Sequence, residues 1–417
     1  MGHAGLGAMS APGRLACPLC GASETAETLC VPDFPYFTAP LARAHKREII
    51  TAHGHQRLCA DLEVRACLAC SHCFTVKTEA APLADLYAKF HSYPSALQSG
   101  FAPKRDDAFL DYFLGSLVPA RAPGPRVLEV ACYDGYILKR LERHGFSVRG
   151  CDPSPGALIG REQGLTIDRR FFDAADYQRR AMAFDIVLCR HFIEHVDDPA
   201  DLVREMATLL APDGMLVLET PDAGFHLERG LAEVFSHQHL NVFSAASLGR
   251  TAGAAGLRVL RLDRVGANLV LTAGRGPLTV CDDADFVPAL LAFQKRLEEN
   301  RRIVQQAMAM AADKGERVAL WGAGSFGMAA MRLYGIPPSR LSYIIDSDPA
   351  KWEMEYIDQD TPIISPKKAL ADPPDLVVVA SMYAPDILAR IQGLGLRAAT
   401  LCLYPDVRLR APDQSTP

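Results

Sequence analysis

No run of eighteen uncharged apolar residues occurs in the 417-residue chain, which argues against a membrane-spanning helix. Basic residues are in no excess. Lys and Arg number 44 against 49 Asp and Glu, a net charge of -5, so the basic face needed to neutralise nucleic-acid phosphates is lacking. The opening "MGHAGLGAMSAPGR" lacks the basic start and long apolar core of a signal peptide, and residues 1–14 read as a flexible tail. A reducing cytoplasm is therefore expected, where cysteines bind metal or are buried rather than form disulfides. What is present is ordinary globular material, 49% hydrophobic and 22% charged, too long for one core and expected to form two or three domains.

Seven of the twelve cysteines precede residue 75. "CPLC" spaces Cys17 and Cys20, and "CLACSHC" spaces Cys67 and Cys70, as two thiolate pairs that can complete a tetrahedral sulfur shell around Zn²⁺. Four cysteine ligands leave no open position, so the metal is expected to be structural. Cys59, Cys73, His53, His55 and His72 are rival ligands, and burial of the cysteines as small hydrophobes is the plain alternative.

Beyond a linker starting near Ala84, an amphipathic helix is expected from Lys104 to the breaker "VPARAPGP". Strands and helices then alternate: "PRVLEVA", "YILKRLERHG", "FSVRGCDPS", "FDIVLCR", "DPADLVREMATLLAPDG" and "GMLVLETP". Such alternation implies a parallel sheet with ligands at the carboxyl ends of its strands. Glu129 ends the first strand and Asp152 the second, 23 positions later, a spacing that suits a carboxylate binding the two hydroxyls of a ribose. The turn between them, "EVACYDG", is short of glycine. Ala131 and Gly135 are its small residues, Tyr133 breaks the pattern, and Asp134 with Gly135 makes the bend. Taken alone, it could equally be an ordinary strand–helix connection.

In order and spacing, "VLEVACYDGYILKRL", "VRGCDPS", "FDIVLCRHFIEHVDDP" and "LLAPDGMLVLETPD" resemble the motifs of class I S-adenosylmethionine-dependent methyltransferases. "ACYDGYIL" resembles the Asn-Asp-Gly form of the first motif, which marks the sugar C-methyltransferases acting on nucleoside-diphosphate deoxysugars. The resemblance implies an α/β methyltransferase core with a Rossmann-like sheet, flanked by a small N-terminal zinc domain and a second, C-terminal Rossmann-like domain. Laid on this chain, it places the zinc domain at 15–95, the core at 96–278, a connecting helix at 279–314 and the C-terminal domain at 315–417. It departs at Tyr133, where the family favours Asn, and at Ala131.

"RVALWGAGSFGMAAMRL" carries Gly322-x-Gly324-x-x-Gly327, with Asp346 following 24 residues after Gly322. The spacing is that of a dinucleotide fingerprint. The resemblance instead implies that these glycines help hold a nucleotide-sugar acceptor, and close strand–helix packing is the competing reading.

"EVFSHQHLNVFS" resembles the family's Tyr-His-Glu-His stretch, which supplies the catalytic base. His239 matches the base and His237 the first histidine, while Ser236 and Gln238 replace tyrosine and glutamate as candidate substrate contacts. Serine is a poorer enolate stabiliser than a phenol, and Gln238 cannot raise the basicity of an imidazole as a carboxylate would. His195 in "IEHVDD" matches a histidine of the same cleft, with packing beneath the next helix as its alternative role. Phe172 and Asp173 after the third strand are expected near adenine, Arg190 with His191 near methionine or acceptor, and Asn268 of "GAN" near the sugar. The cofactor set is thus Glu129, Ala131, Tyr133, Gly135, Asp152, Phe172, Asp173 and Arg190.

The expected function is C-methylation of a nucleotide-linked sugar through an enolate, with a histidine near its ordinary pKa of about 6.5 taking the proton. O-methylation of a sugar, glycan or natural-product hydroxyl, and cofactor binding without turnover, are the alternatives. The expected partner is a small-molecule acceptor, with no nucleic acid and no membrane, for a monomer or homodimer.

Overall fold

"RVLEV" alternates its side chains between two apolar layers, and so does every central strand of the sheet built around it. The computed structural model describes residues 16–54, 58–77, 95–99, 104–118, 124–231, 234–276 and 286–411. The tail of residues 1–14, the linker of 84–94 and the rival ligand His55 lie outside these. The chain forms two compact units, the first of residues 1–26, 65–225 and 238–286, the second of 27–64, 226–237 and 287–417. The stretch between the two cysteine pairs therefore falls largely in the second unit, whereas both pairs lie in the first.

The first unit holds a seven-stranded sheet: β1 (Arg126–Val130), β2 (Ser147–Cys151), β3 (Ile167–Asp168), β4 (Phe184–Arg190), β5 (Leu210–Pro221), β6 (Arg258–Val265) and β7 (Asn268–Gly274), in the order β6-β7-β5-β4-β1-β2-β3. β3, β2, β1, β4 and β5 run parallel, whereas β7 pairs antiparallel with β5 and with β6. Helices α1 (Lys104–Tyr112), α2 (Tyr136–Arg143), α3 (Gly156–Glu162), α4 (Ala174–Arg179), α5 (Pro199–Thr208) and α6 (Ala245–Ala254) cover it. Val127, Ile186, Leu188 and Val217 pack with Phe109, Phe113 and Ile137 on one face. Leu128, Val187, Leu216 and Leu218 pack with Val203, Met206 and Leu248 on the other. α5 starts where Asp198 accepts from the Asp201 amide and Pro199 presets the first turn. The strand order reverses between β1 and β4, the place where such sheets take ligands at the carboxyl ends of their strands.

The second unit contains α7 (Phe286–Asp313), then a sheet of β8 (Val318–Trp321), β9 (Leu341–Ile345), β10 (Ile363–Ile364), β11 (Leu376–Val379), β12 (Ala399–Cys402) and β13 (Arg408–Arg410), in the order β10-β9-β8-β11-β12-β13. Helix α8 (Ser325–Tyr334) follows β8, and α9 (Ala384–Gly393) follows β11. Lys46, on the helix Arg43–His53, is buried against Glu355, Asp360 and the Gln359 carbonyl. That cluster helps explain why residues 27–64 belong to this unit. No described helix is long and apolar enough to cross a membrane.

Candidate active site and metal centre

β1 leads into a turn in which Ala131, Tyr133 and Gly135 have φ of +59°, +49° and +77°. Left-handed backbone is free to glycine and strained for alanine and tyrosine, by about 1 kcal/mol or more each. The glycines missing from this motif are thus replaced in sequence but not in conformation. Asp134 holds the turn, accepting from the Tyr136 amide at 3.0 Å, the Ser95 hydroxyl at 2.7 Å and the Leu97 amide at 3.2 Å. Asp152, 7% exposed, accepts from the Tyr133 amide and the Ser154 amide, both at 2.8 Å. A carboxylate has about four acceptor positions, so two amides leave Asp152 room for a pair of hydroxyls. Glu129 is buried, its carboxyl pushed up to about 8 by burial, and its Oε2 has no hydrogen-bond partner. Among the expected cofactor residues, Glu129, Ala131, Tyr133, Gly135 and Asp152 converge on this turn. Phe172 packs at the core edge beside Tyr177.

Two expected cofactor residues are otherwise engaged. Asp173 caps α4 by accepting from the Ala175 amide. Arg190 is buried over the Phe109 ring, donating to Glu219 at 2.6 Å and Asp106 at 2.8 Å. Its guanidinium neutralises these buried carboxylates. Asn268 likewise donates to Glu219 at 2.9 Å, which ties down the amide expected near the sugar.

At the carboxyl end of β4 the chain turns through His191, with φ of +48°, into a 3₁₀ turn of Ile193–His195. Glu194 is buried, pushed up to about 8 by burial, and accepts from the Thr220 hydroxyl at 3.1 Å. His195 Nδ1 lies 2.7 Å from the Gln238 carbonyl. A carbonyl only accepts, so Nδ1 carries the proton and the lone pair of the neutral ring is on Nε2. The His195 and His239 rings meet edge to face, centroids 5.0 Å apart. Ligand atoms of Glu194, His195 and His239 all lie within 4.8 Å of one another. The Thr75 hydroxyl holds the His239 carbonyl at 2.7 Å, and the Asn241 amide holds the Val196 carbonyl at 2.6 Å, fixing both segments. His191, half-buried beside Glu194 and Glu219, is held well below the ordinary imidazole range by desolvation.

His237 does not join this group. It lies in the second unit, its Nε2 donating to the Phe34 and Ala60 carbonyls at 3.1 Å and its ring 4.4 Å from that of Tyr36. Those bonds describe a packed residue, away from the group expected to share its catalytic role. Ser236 is buried in the same unit, whereas Gln238 contributes its backbone to His195.

Cys17, Cys20, Cys67 and Cys70 bring their sulfurs within 4.8 Å of one another, with 3.6 Å from Cys17 to Cys70 and 3.5 Å from Cys20 to Cys67. Sulfurs about 2.3 Å from one zinc would sit about 3.8 Å apart, so the donor set fits. Each knuckle closes through a left-handed residue, Gly21 at φ +73° and Ser71 at φ +59°. The Cys70 thiol hydrogen-bonds Cys17 and holds it below the ordinary thiol range, towards the thiolate a metal needs. Of the rivals, His72 bonds Asn241 at 3.1 Å, and Cys59 and His53 lie in the second unit. Cys73 is buried beside the cluster, its thiol pushed up to about 12 by burial.

In the second unit the three glycines have different reasons. A Cβ on Gly322 would meet the Ala380 carbonyl oxygen at 2.3 Å, and one on Gly327 the Gly322 carbonyl oxygen at 2.2 Å. At these two positions glycine is required by close backbone packing, the competing reading of the motif. Only Gly324 faces open space. Asp346 accepts from the Ala323 and Asp348 amides, both at 2.8 Å, and from Lys351 at 3.1 Å.

The sequence reading missed Glu219, Asp106, Thr220 and Ser95. Glu219 left a signal, a lone charge inside the apolar strand "MLVLETP", which demands a buried partner. Asp106 and Ser95 left none.

Residues 102–262 match the family described as "Methyltransferase domain", and residues 283–399 the one described as "C-methyltransferase C-terminal domain". The chain is 36% identical over 117 residues to a ubiquinone biosynthesis O-methyltransferase of Xanthomonas axonopodis pv. citri, covering 27% of this chain and 48% of that protein. It is 29% identical over 152 residues to the enzyme of the same name from Coxiella burnetii, covering 33% and 65%. The chain thus spans roughly half to two-thirds of these relatives. Magnesium protoporphyrin IX methyltransferase from Synechocystis, solved with bound S-adenosylmethionine, aligns at a TM-score of 0.31 with 18% identity, over 42% of this chain and 79% of that one. The first match falls on the seven-stranded sheet of the first unit and the second on α7 and the sheet of the second unit, so the chain resembles a methyltransferase domain followed by a C-methyltransferase C-terminal domain.

Proposed function

We propose that this protein is an S-adenosylmethionine-dependent methyltransferase, and that it methylates a carbon next to a ketone in a nucleotide-linked sugar. The observation that carries the cofactor reading is the pairing of Asp152, locked to the strained turn, with the unpartnered buried oxygen of Glu129. Asp152 accepts from the ribose hydroxyls, and Glu129 accepts from the cationic amino-acid end. When bound, the sulfonium supplies an electrophilic methyl group.

Proton management falls to the cluster at the carboxyl ends of β4 and β5. His239 takes the proton from the acceptor carbon, and His195, its tautomer set by the Gln238 carbonyl, keeps the edge of that ring in place. The electron pair released at carbon then forms the new bond to the methyl. Holding both partners in line does most of the rest. The four cysteines would hold Zn²⁺ as a closed structural site.

The match of residues 283–399 to a C-methyltransferase domain supports transfer to carbon. A second reading, transfer to a hydroxyl, is supported by Ser236 and Gln238 and by the O-methyltransferase names of the relatives. Solvent deuterium exchange at the α-carbon of a keto-sugar, measured with the cofactor's demethylated product bound, separates them. Exchange supports the enolate route; methylation without exchange supports the hydroxyl.

A further inference from the structure

We infer that Glu194, His195 and His239 form a second metal site, of nitrogen and oxygen donors, that takes a divalent transition-metal cation. Two imidazoles and one carboxylate are a donor set suited to Zn²⁺, Co²⁺ or Ni²⁺, and three protein ligands leave a coordination position open. One ligand atom from each residue lies within 4.8 Å of the others, close enough that small side-chain shifts bring all three onto one ion.

The surroundings are those of ligands already oriented. Metal-binding histidines usually donate their second ring N–H to a carbonyl or carboxylate, and ligating carboxylates are themselves hydrogen-bonded. His195 does the first through Nδ1 to the Gln238 carbonyl, which leaves the lone pair of the neutral ring on Nε2 as its ligand atom. Glu194 does the second through the Thr220 hydroxyl, and at 2% exposure its carboxylate sits where water cannot solvate a charge. The backbone on both sides is fixed by the Thr75 and Asn241 bonds, so little ordering is needed to bind an ion.

The site coincides with the proposed proton acceptor, and an ion and a proton compete for the same His239 nitrogen. Excess transition metal is therefore expected to inhibit methyl transfer, an effect that rests on the functional reading. Binding itself does not.

The test is cobalt(II) titration of the full metal-stripped chain, read by absorption and by metal content. Two cobalt ions per chain are expected, one with the intense thiolate-to-cobalt band of the cysteine site and one with weak d–d bands only. Glu194→Gln and His195→Asn should each lose the second ion and keep the thiolate band, which also reports that the fold survives. Thr220→Val, which removes only an outer hydrogen bond, should weaken the second ion 10- to 100-fold. A single cobalt with thiolate bands alone in the wild type, or a second ion that persists in both ligand variants, overturns the inference. Calorimetry with S-adenosylmethionine on the same sample separates the outcomes: cofactor binding with one cobalt sinks only the metal site, and two cobalts without cofactor binding sink only the methyltransferase reading.

Discussion

Two sheets in this molecule are wired alike and equipped differently. In the first unit Asp152 receives the Tyr133 and Ser154 amides; in the second, Asp346 receives the Ala323 and Asp348 amides, with the same 2.8 Å in all four bonds. The difference is in what else reaches the carboxylate and the strand ends. Asp346 is further engaged by Lys351, and Gly322 and Gly327 are filled by backbone. At the first sheet, Glu129 keeps an unpartnered oxygen, and Glu194, His195 and His239 crowd the ends of β4 and β5. A strand–acid–turn arrangement is fold hardware. Chemistry enters only where polar groups exceed what the fold consumes.

That contrast can be broken by substitution. His239→Ala should lower the rate of methyl transfer by about 10²- to 10⁴-fold, the usual worth of a general base, with cofactor affinity unchanged. An unaltered rate in steady-state kinetics would remove it from the mechanism. Asp152→Ala should weaken cofactor binding by about 1.5–3 kcal/mol, the value of hydrogen bonds to a charged acceptor, and Asp346→Ala should leave it untouched. Equal losses in both variants would erase the distinction between the two sheets. Gly322→Ala should destabilise the second unit by about 1–3 kcal/mol through overpacking at a left-handed position, read as a lower midpoint in denaturant.

The smallest effect concerns pH. Glu129 is raised to about 8 from an unfolded value near 4.5. Between these values the folded state binds more protons, so this group's stabilisation is full below about 4.5 and is lost as pH rises towards 8. Cofactor affinity runs the other way, because the cationic end of the cofactor needs the ionised carboxylate. It should climb towards pH 8 and flatten above it, and Glu129→Gln should abolish the slope.

How far the sequence foretold this depends on the range of the interaction. Strands such as "FDIVLCR" and the cap of Asp198 are local, and periodicity reveals them. The cysteine pairs were legible because spacing alone makes a knuckle. The motif turn was half legible. Its missing glycines suggested a departure, whereas Ala131 and Tyr133 adopt the left-handed backbone anyway, held by Asp134 and Asp152. The buried pairing of Arg190 was not legible because its partner Asp106 lies 84 positions earlier, beyond any local pattern. His237 and His239 are two residues apart and belong to different units, a division that no reading of "SHQH" contains.

The central claim is that the turn after β1 binds S-adenosylmethionine through Asp152. Isothermal titration of the purified chain with the cofactor and with its demethylated product tests it most directly. The account predicts one binding event per chain, strongly weakened in Asp152→Ala and preserved in Asp346→Ala. No heat of binding with either compound, in a chain shown to be folded, would contradict it.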